Sequence, residues 1–197
     1  NAAALDRAAQ QIKGEVKTLA VDLTNEQATA HALASFLNYE DKQLILCNIA
    51  GGFSMGPRVD ETPNSTWQHL LDLNLSTLIN ASKVVVPTMI RSGRGCIINV
   101  AAAGAASGKP GMGAYCVAKN GVARLTEAMA LELREYGINV NAVAPSIIDT
   151  EANRRAMPDA DPKKWVTPEQ LSSVIGFLAS QDARAIHGTV IPVVGLS

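Results

Sequence analysis

Short apolar runs alternate along this chain with longer segments in which apolar residues return every three or four positions. That alternation predicts strands and helices in turn. The chain opens at Asn1 in what reads as a helix, and Val16 to Asp22 then predicts a short strand over 16–22. A helix is expected over 25–39, and Gln43 to Ala50 is an apolar strand running into Gly51-Gly52. A long helical pattern fills 64–91, with Pro87 expected to bend or interrupt it near its end. Cys96 to Ala101 is the next strand, and a second long helix over 113–136 stops at Gly137. Ile138 to Ala144 reads as a strand stopped by Pro145. A helix over 168–180 has Pro168 near its first turn, and Thr189 to Val194 is the last strand.

Strand–helix–strand repetition implies crossover units and a parallel sheet. With right-handed crossovers the expected architecture is α/β, a Rossmann-like doubly wound sheet forming one domain over 1–197. Ligands of such sheets bind beyond the carboxyl ends of the strands. The positions to inspect are therefore Asp22, Asn48 to Gly52, Ala101 to Gly104, and Pro145 to Thr150. The one long irregular stretch, 151–166, follows a strand end and is expected to be a flap over the site.

Composition agrees with a buried sheet. The chain is 47% hydrophobic but only 4% aromatic, so aliphatic residues carry the core. A net charge of −1 gives no general attraction to nucleic acid or an anionic membrane. No apolar run reaches the roughly 18 residues of a membrane span, and no signal peptide is seen, so a cytoplasmic enzyme is the default expectation. Cys47, Cys96 and Cys116 match no zinc or disulfide framework and read as reduced structural thiols. His31, His69 and His187 lack any metal-ligand spacing, and no metal is expected.

The chemistry lies in Tyr115-Cys116-Val117-Ala118-Lys119. Residues four apart share a helix face, so Tyr115 and Lys119 can point into one site. A phenol has a reference pKa of about 10, and a nearby ammonium favours its phenolate, which suits proton transfer. A Y-x-x-x-K spacing alone arises by chance in many helices. Here it follows a strand and a small-residue loop ending Gly111-Met112-Gly113, and it precedes the strand-turn Asn141-Ala142-Val143-Ala144-Pro145.

Set among those neighbours, the chain resembles the short-chain dehydrogenase/reductase family over essentially its whole length. Asp22-Leu23 is similar to the family's adenine-contacting acidic pair. Asn48-Ile49-Ala50-Gly51 resembles its N-N-A-G element, with Ile49 in place of the second Asn. Asn74 stands where the family keeps a helix-borne catalytic Asn. Pro145 to Thr150 resembles the P-G-x-x-x-T turn that meets the nicotinamide, with Ser146 replacing Gly. The resemblance implies an oxidoreductase using NAD or NADP on a small-molecule substrate. Its catalytic set would be Tyr115, Lys119 and Asn74. Its cofactor contacts would be Asp22, Leu23, Asn48, Ala50, Gly51, Tyr115, Lys119, Pro145, Ile148 and Thr150. Tyr115 would donate the proton, Lys119 would lower the Tyr115 pKa and bind the nicotinamide ribose, and Asn74 would hold a water in a proton relay. The backbone around Ile148 and Thr150 would fix the carboxamide. The family's use of two long helices for assembly implies a homodimer or homotetramer through 64–91 and 113–136.

Two departures bear on function. The family's usual Ser, thirteen residues before the Tyr, is Ala102 here, and Ala cannot polarise a carbonyl. Dihydropteridine reductases share that Ala, and Ala50-Gly51-Gly52, Pro110-Gly111-Met112 and the spaced set from Asp149 to Pro168 resemble theirs. A pterin-like or quinonoid substrate is therefore one expectation. A conventional carbonyl or 3-oxoacyl reductase, or alcohol dehydrogenase, is the second, and a non-catalytic dinucleotide-binding protein the third. Trp165 could stack a flat ring or anchor the flap, and anchoring is favoured. The second departure is that no G-x-G-x-x-G occurs, so the chain is expected to be part of a longer protein, and the choice between NAD and NADP stays open.

Overall fold

The computed structural model describes residues 2–37 and 43–197. Helix α1 (Ala2–Ala9) buries none of its residues. Helix α2 (Glu26–Ala34) starts at Asn25, whose side chain accepts from the Ala28 N–H and so caps an otherwise unpaired donor. Strand β1 (Ile45–Asn48) follows, then α3 (Asn64–Leu71), a π-helical turn (Asp72–Ser76) and α4 (Thr77–Ser92). Next come β2 (Gly95–Val100), α5 (Gly113–Leu133), β3 (Ile138–Pro145), α6 (Glu151–Ala156), α7 (Pro168–Ala179) and β4 (Val190–Val193).

Among the described residues the four strands are all parallel and stand in the order β1-β2-β3-β4. β2 and β3 are buried almost throughout because helices cover both faces. On one face, Leu78, Val85 and Met89 of α4 and Val122, Met129 and Leu133 of α5 enclose Ile97 and Val140. On the other, Leu171 and Leu178 of α7 close over Cys96, Ile98 and Val143. Alternate residues of β2 therefore serve opposite cores, as a two-residue period requires. The strands advance in one direction while α7 lies opposite α4 and α5. The crossover through α7 thus has the opposite hand to the two before it, against the uniform hand expected from the sequence. Among the described residues no helix is long and apolar enough to cross a membrane.

Several expected elements change. Residues 16–22 form no strand: a strand needs a hydrogen-bonded neighbour, and among the described residues β1 pairs only with β2. Val16 and Leu19 consequently stay exposed. The helix expected over 25–39 ends at Ala34, where Phe36 and Leu37 close tighter turns onto the Leu33 and Ala34 carbonyls; residues 38 and 39 lie outside the described residues. The strand expected over 43–50 is ladder-paired only at Ile45–Asn48. The segment 64–91 is interrupted at the π turn rather than at Pro87, which α4 accommodates on its exposed side. The stretch 151–166 is more ordered than expected. It contains α6, capped by the Thr150 side chain, and a 3-10 turn over Pro162–Lys164.

Candidate active site

β1, β2 and β3 end on one rim of the sheet, and the loops leaving them bring the candidate residues together. Tyr115 and Lys119 lie in the first turns of α5, with Lys119 facing the sheet. The Lys119 Nζ donates to the carbonyl of Val100, the last residue of β2, at 2.8 Å. Burial strips the ammonium of hydration and lowers its pKa to about 8. Gly51 is what lets this cation meet the loop after β1: a Cβ there would stand 2.7 Å from the Asn74 Oδ1 and 3.0 Å from the Lys119 Nζ.

Asn74 sits in the π turn, almost fully buried. Its Oδ1 accepts from the Gly52 N–H at 3.0 Å, and its Nδ2 donates to the Gly52 carbonyl and the Leu70 carbonyl, each at 3.0 Å. The side chain is thus a two-way clamp on the peptide of Gly52. Single π turns recur at functional sites because the extra residue rotates a side chain out of α-helical register.

Tyr115 is half-buried. Burial raises its phenol pKa, and the neighbouring Cys116 adds to the rise. In this structure burial outweighs the lowering expected from Lys119. The Tyr115 ring meets Phe53 edge to face, with centroids 5.0 Å apart and planes at 85°. Sequence reading did not single out Phe53; its place directly after Gly51-Gly52, the close-approach point, was the available signal.

Other expected contacts are distributed around this centre. The Asn48 Nδ2 donates to the Asn99 Oδ1, and the Asn99 Nδ2 donates to the Thr126 Oγ1, both at 2.9 Å, so Asn48 ties β1 to β2 and α5. Ala50 is exposed on the same rim. Asp22 turns its carboxylate onto the backbone and hydroxyl of Thr24 (3.0 and 2.7 Å), bonds that lower its pKa. The Leu23 carbonyl is held by Asn80 of α4 at 2.9 Å. After Pro145, the carbonyl of Ile148 accepts from the Thr150 N–H and from the Asn153 Nδ2 (2.9 and 2.8 Å). Asp149 forms a bidentate pair with Arg154 at 2.6 and 2.7 Å. Ala102 presents only a methyl, and Ser107 is exposed farther along its loop. Trp165 is only 5% exposed, so its ring anchors its segment and is not offered to a ligand.

A family model described as enoyl-(acyl carrier protein) reductase matches residues 1–195. The chain belongs to the short-chain dehydrogenase/reductase family. Among curated short-chain dehydrogenases, the cyclopentanol dehydrogenase of Comamonas sp. is 28% identical over 192 residues, 92% of this chain and 76% of that protein. A protein of Xanthobacter autotrophicus named inactive 2-(S)-hydroxypropyl-CoM dehydrogenase 2 is 32% identical over 98% of this chain and 90% of its own length. A gluconate 5-dehydrogenase from Burkholderia cenocepacia, solved with NADP and tartrate, superposes with a TM-score of 0.80 at 28% identity, covering 88% of this chain and 72% of that one. An NAD+-bound xylitol dehydrogenase superposes at 0.89 with 25% identity, covering 99% of this chain and 85% of that one. As a member of the short-chain dehydrogenase/reductase family, the chain is an oxidoreductase of that type.

Proposed function

We propose that this protein interconverts a secondary alcohol and its ketone with NAD or NADP, with Tyr115 as the proton-transferring group. The observation that carries this reading is the convergence of Tyr115, Lys119, Asn74 and Gly51 on one rim of the sheet. The relatives' names, alcohol and polyol dehydrogenases among them, agree with it.

The nicotinamide cofactor supplies or accepts the hydride. This chain's residues fit its nicotinamide-ribose end. Lys119 has three N–H donors and the Val100 carbonyl takes one, leaving others for ribose hydroxyls. The turn from Pro145 to Thr150, held by Asn153, would carry the carboxamide on its backbone. Asp22 and Leu23 would meet the adenine end and Ala50 and Gly51 would line the passage between; Asn48 acts by holding β1 in register. Asn74 fixes the loop against which a relay water would rest.

A raised phenol pKa keeps Tyr115 protonated at neutral pH, which is the form that donates a proton to a ketone oxygen as hydride arrives. In alcohol oxidation the phenolate must take that proton, so the oxidation rate should climb with pH above neutrality. With Ala102 in place of a hydroxyl, polarisation of the substrate oxygen falls to Tyr115 alone. We also read 151–166 as a substrate flap within a single domain, and the exposed Val117 and Leu131 of α5 as part of a homodimer or homotetramer contact.

Stopped-flow oxidation of NADH and NADPH, with a panel of ketones beside a quinonoid dihydropterin, tests the reading. Ketone turnover should fall by about a hundredfold or more in Tyr115→Phe while dinucleotide binding persists. Dinucleotide binding with no turnover would instead favour the non-catalytic reading, which Ala102 and the inactive relative support. Turnover of the pterin alone would count against a ketone substrate. The buried Trp165 takes away the ring that had been the candidate stacking surface for a pterin.

A further inference from the structure

We infer that Phe53 sets the substrate class of this site, forming an aromatic wall that selects cyclic alcohols and ketones over open-chain ones. The inference rests on the reaction proposed above. Phe53 touches Tyr115 edge to face at 5.0 Å, yet 61% of it remains exposed. An aromatic ring in contact with the reacting phenol, with its remaining surface uncovered, offers a planar apolar surface to whatever reacts there.

The ring is also held in place. On one side of it, Gly52 is clamped by both polar atoms of Asn74. On the other, the Gly56 N–H donates to the Gly111 carbonyl at 2.8 Å. Gly111 adopts φ +72°, and a Cβ there would stand 2.8 Å from the Gly56 carbonyl oxygen. The loop therefore runs between two fixed points, Gly52 and Gly56, with three residues between them and Phe53 just past the first. A side chain so anchored loses little conformational freedom when a ligand covers it.

The surroundings match an apolar ring. The span Gly51 to Gly56 reads Gly-Gly-Phe-Ser-Met-Gly and contains no charge. Met55 and Val59 continue the exposed apolar surface of the same loop, at 61% and 65% exposure. Arg58, the first cation after this span, is occupied by Asp60 and Glu61 at 2.7 and 3.3 Å, so it is not poised for a carboxylate or phosphate of a substrate. Ala102 presents a methyl rather than a hydroxyl. A ring carbon framework can stack or pack edge-on against Phe53, whereas a short open-chain diol leaves most of that ring in water.

The test compares cyclopentanol and cyclohexanol with butane-2,3-diol and 3-hydroxybutyrate in steady-state oxidation by the purified protein, Phe53→Ala, Phe53→Leu and Phe53→Trp. The wild type should favour the cyclic alcohols in kcat/KM. Phe53→Ala should raise KM for them by about tenfold, raise it less for the open-chain substrates, and be rescued by Phe53→Trp better than by Phe53→Leu. Equal effects on both substrate kinds, or a wild-type preference for open-chain substrates, would overturn the inference. Saturation-transfer NMR of cyclohexanone binding reads the wall without turnover. If no alcohol reacts, the proposed reaction fails, while loss of cyclohexanone binding in Phe53→Ala still upholds the wall and unchanged binding removes it.

Discussion

At the scale of single residues, burial decides the electrostatics of the site. Lys119 and Tyr115 are one helical turn apart, and pairing them by charge predicts a depressed phenol. Desolvation acts on both groups instead, pushing the ammonium down to about 8 and the phenol up. The lysine carries a stability consequence. Its folded pKa lies below the ordinary 10.5, so between those values the unfolded chain binds more protons than the folded one. Stability must therefore rise as pH increases from about 8 toward 10.5. Urea unfolding at about pH 7.5 and about pH 10 should show wild type gaining on the order of 1–3 kcal/mol more than Lys119→Met. A parallel pH response in the two proteins would mean that Lys119 keeps its ordinary pKa in the fold.

At the scale of elements, the long helical segment before β2 is divided by the π turn at Asp72–Ser76, and that turn is what carries Asn74 to Gly52. The three hydrogen bonds of Asn74 bind the helix to the loop after β1 and so hold the loop that bears Phe53. Asn74→Ala would leave the Gly52 peptide and the Leu70 carbonyl without these partners. Denaturant titration should show a loss of about 1–3 kcal/mol, together with faster hydrogen exchange at Gly52. Unchanged exchange would mean that the loop is held without the clamp. The chain Asn48–Asn99–Thr126 works similarly between β1, β2 and α5, which explains why an Asn at a strand's carboxyl end can have its side chain committed to the scaffold.

At the scale of the whole molecule, helices on both faces leave α5 with one side free of its own sheet. Val117 and Leu131, 52% and 64% exposed and fourteen positions apart, fall on that side four turns from each other. Apolar residues so placed suit a contact between copies of the chain. In the homo-oligomer proposed above, Leu131→Arg should shift the equilibrium toward monomer in sedimentation velocity, with the far-ultraviolet circular dichroism unchanged. A wild type that sediments as a monomer at micromolar concentration would remove the basis for this contact.

The sequence by itself determined the class of fold, the order of its paired strands and long helices, and the placing of Tyr115 and Lys119 on one helix. These follow from local periodicity and from the spacing of Tyr115 and Lys119, which a helix turns directly into proximity. Tertiary structure decided what depends on neighbours distant in the chain. Residues 16–22 have strand composition, but among the described residues they pair with no strand, and β propensity alone does not make one. Trp165 could have faced a ligand or the core, and packing around 148–166 placed it inside. The clamp of Asn74 on Gly52 joins residues 22 positions apart, and the closeness of Phe53 to Tyr115 joins a loop to a helix more than sixty positions on. Such contacts are set by how the strand ends converge, which no local pattern records.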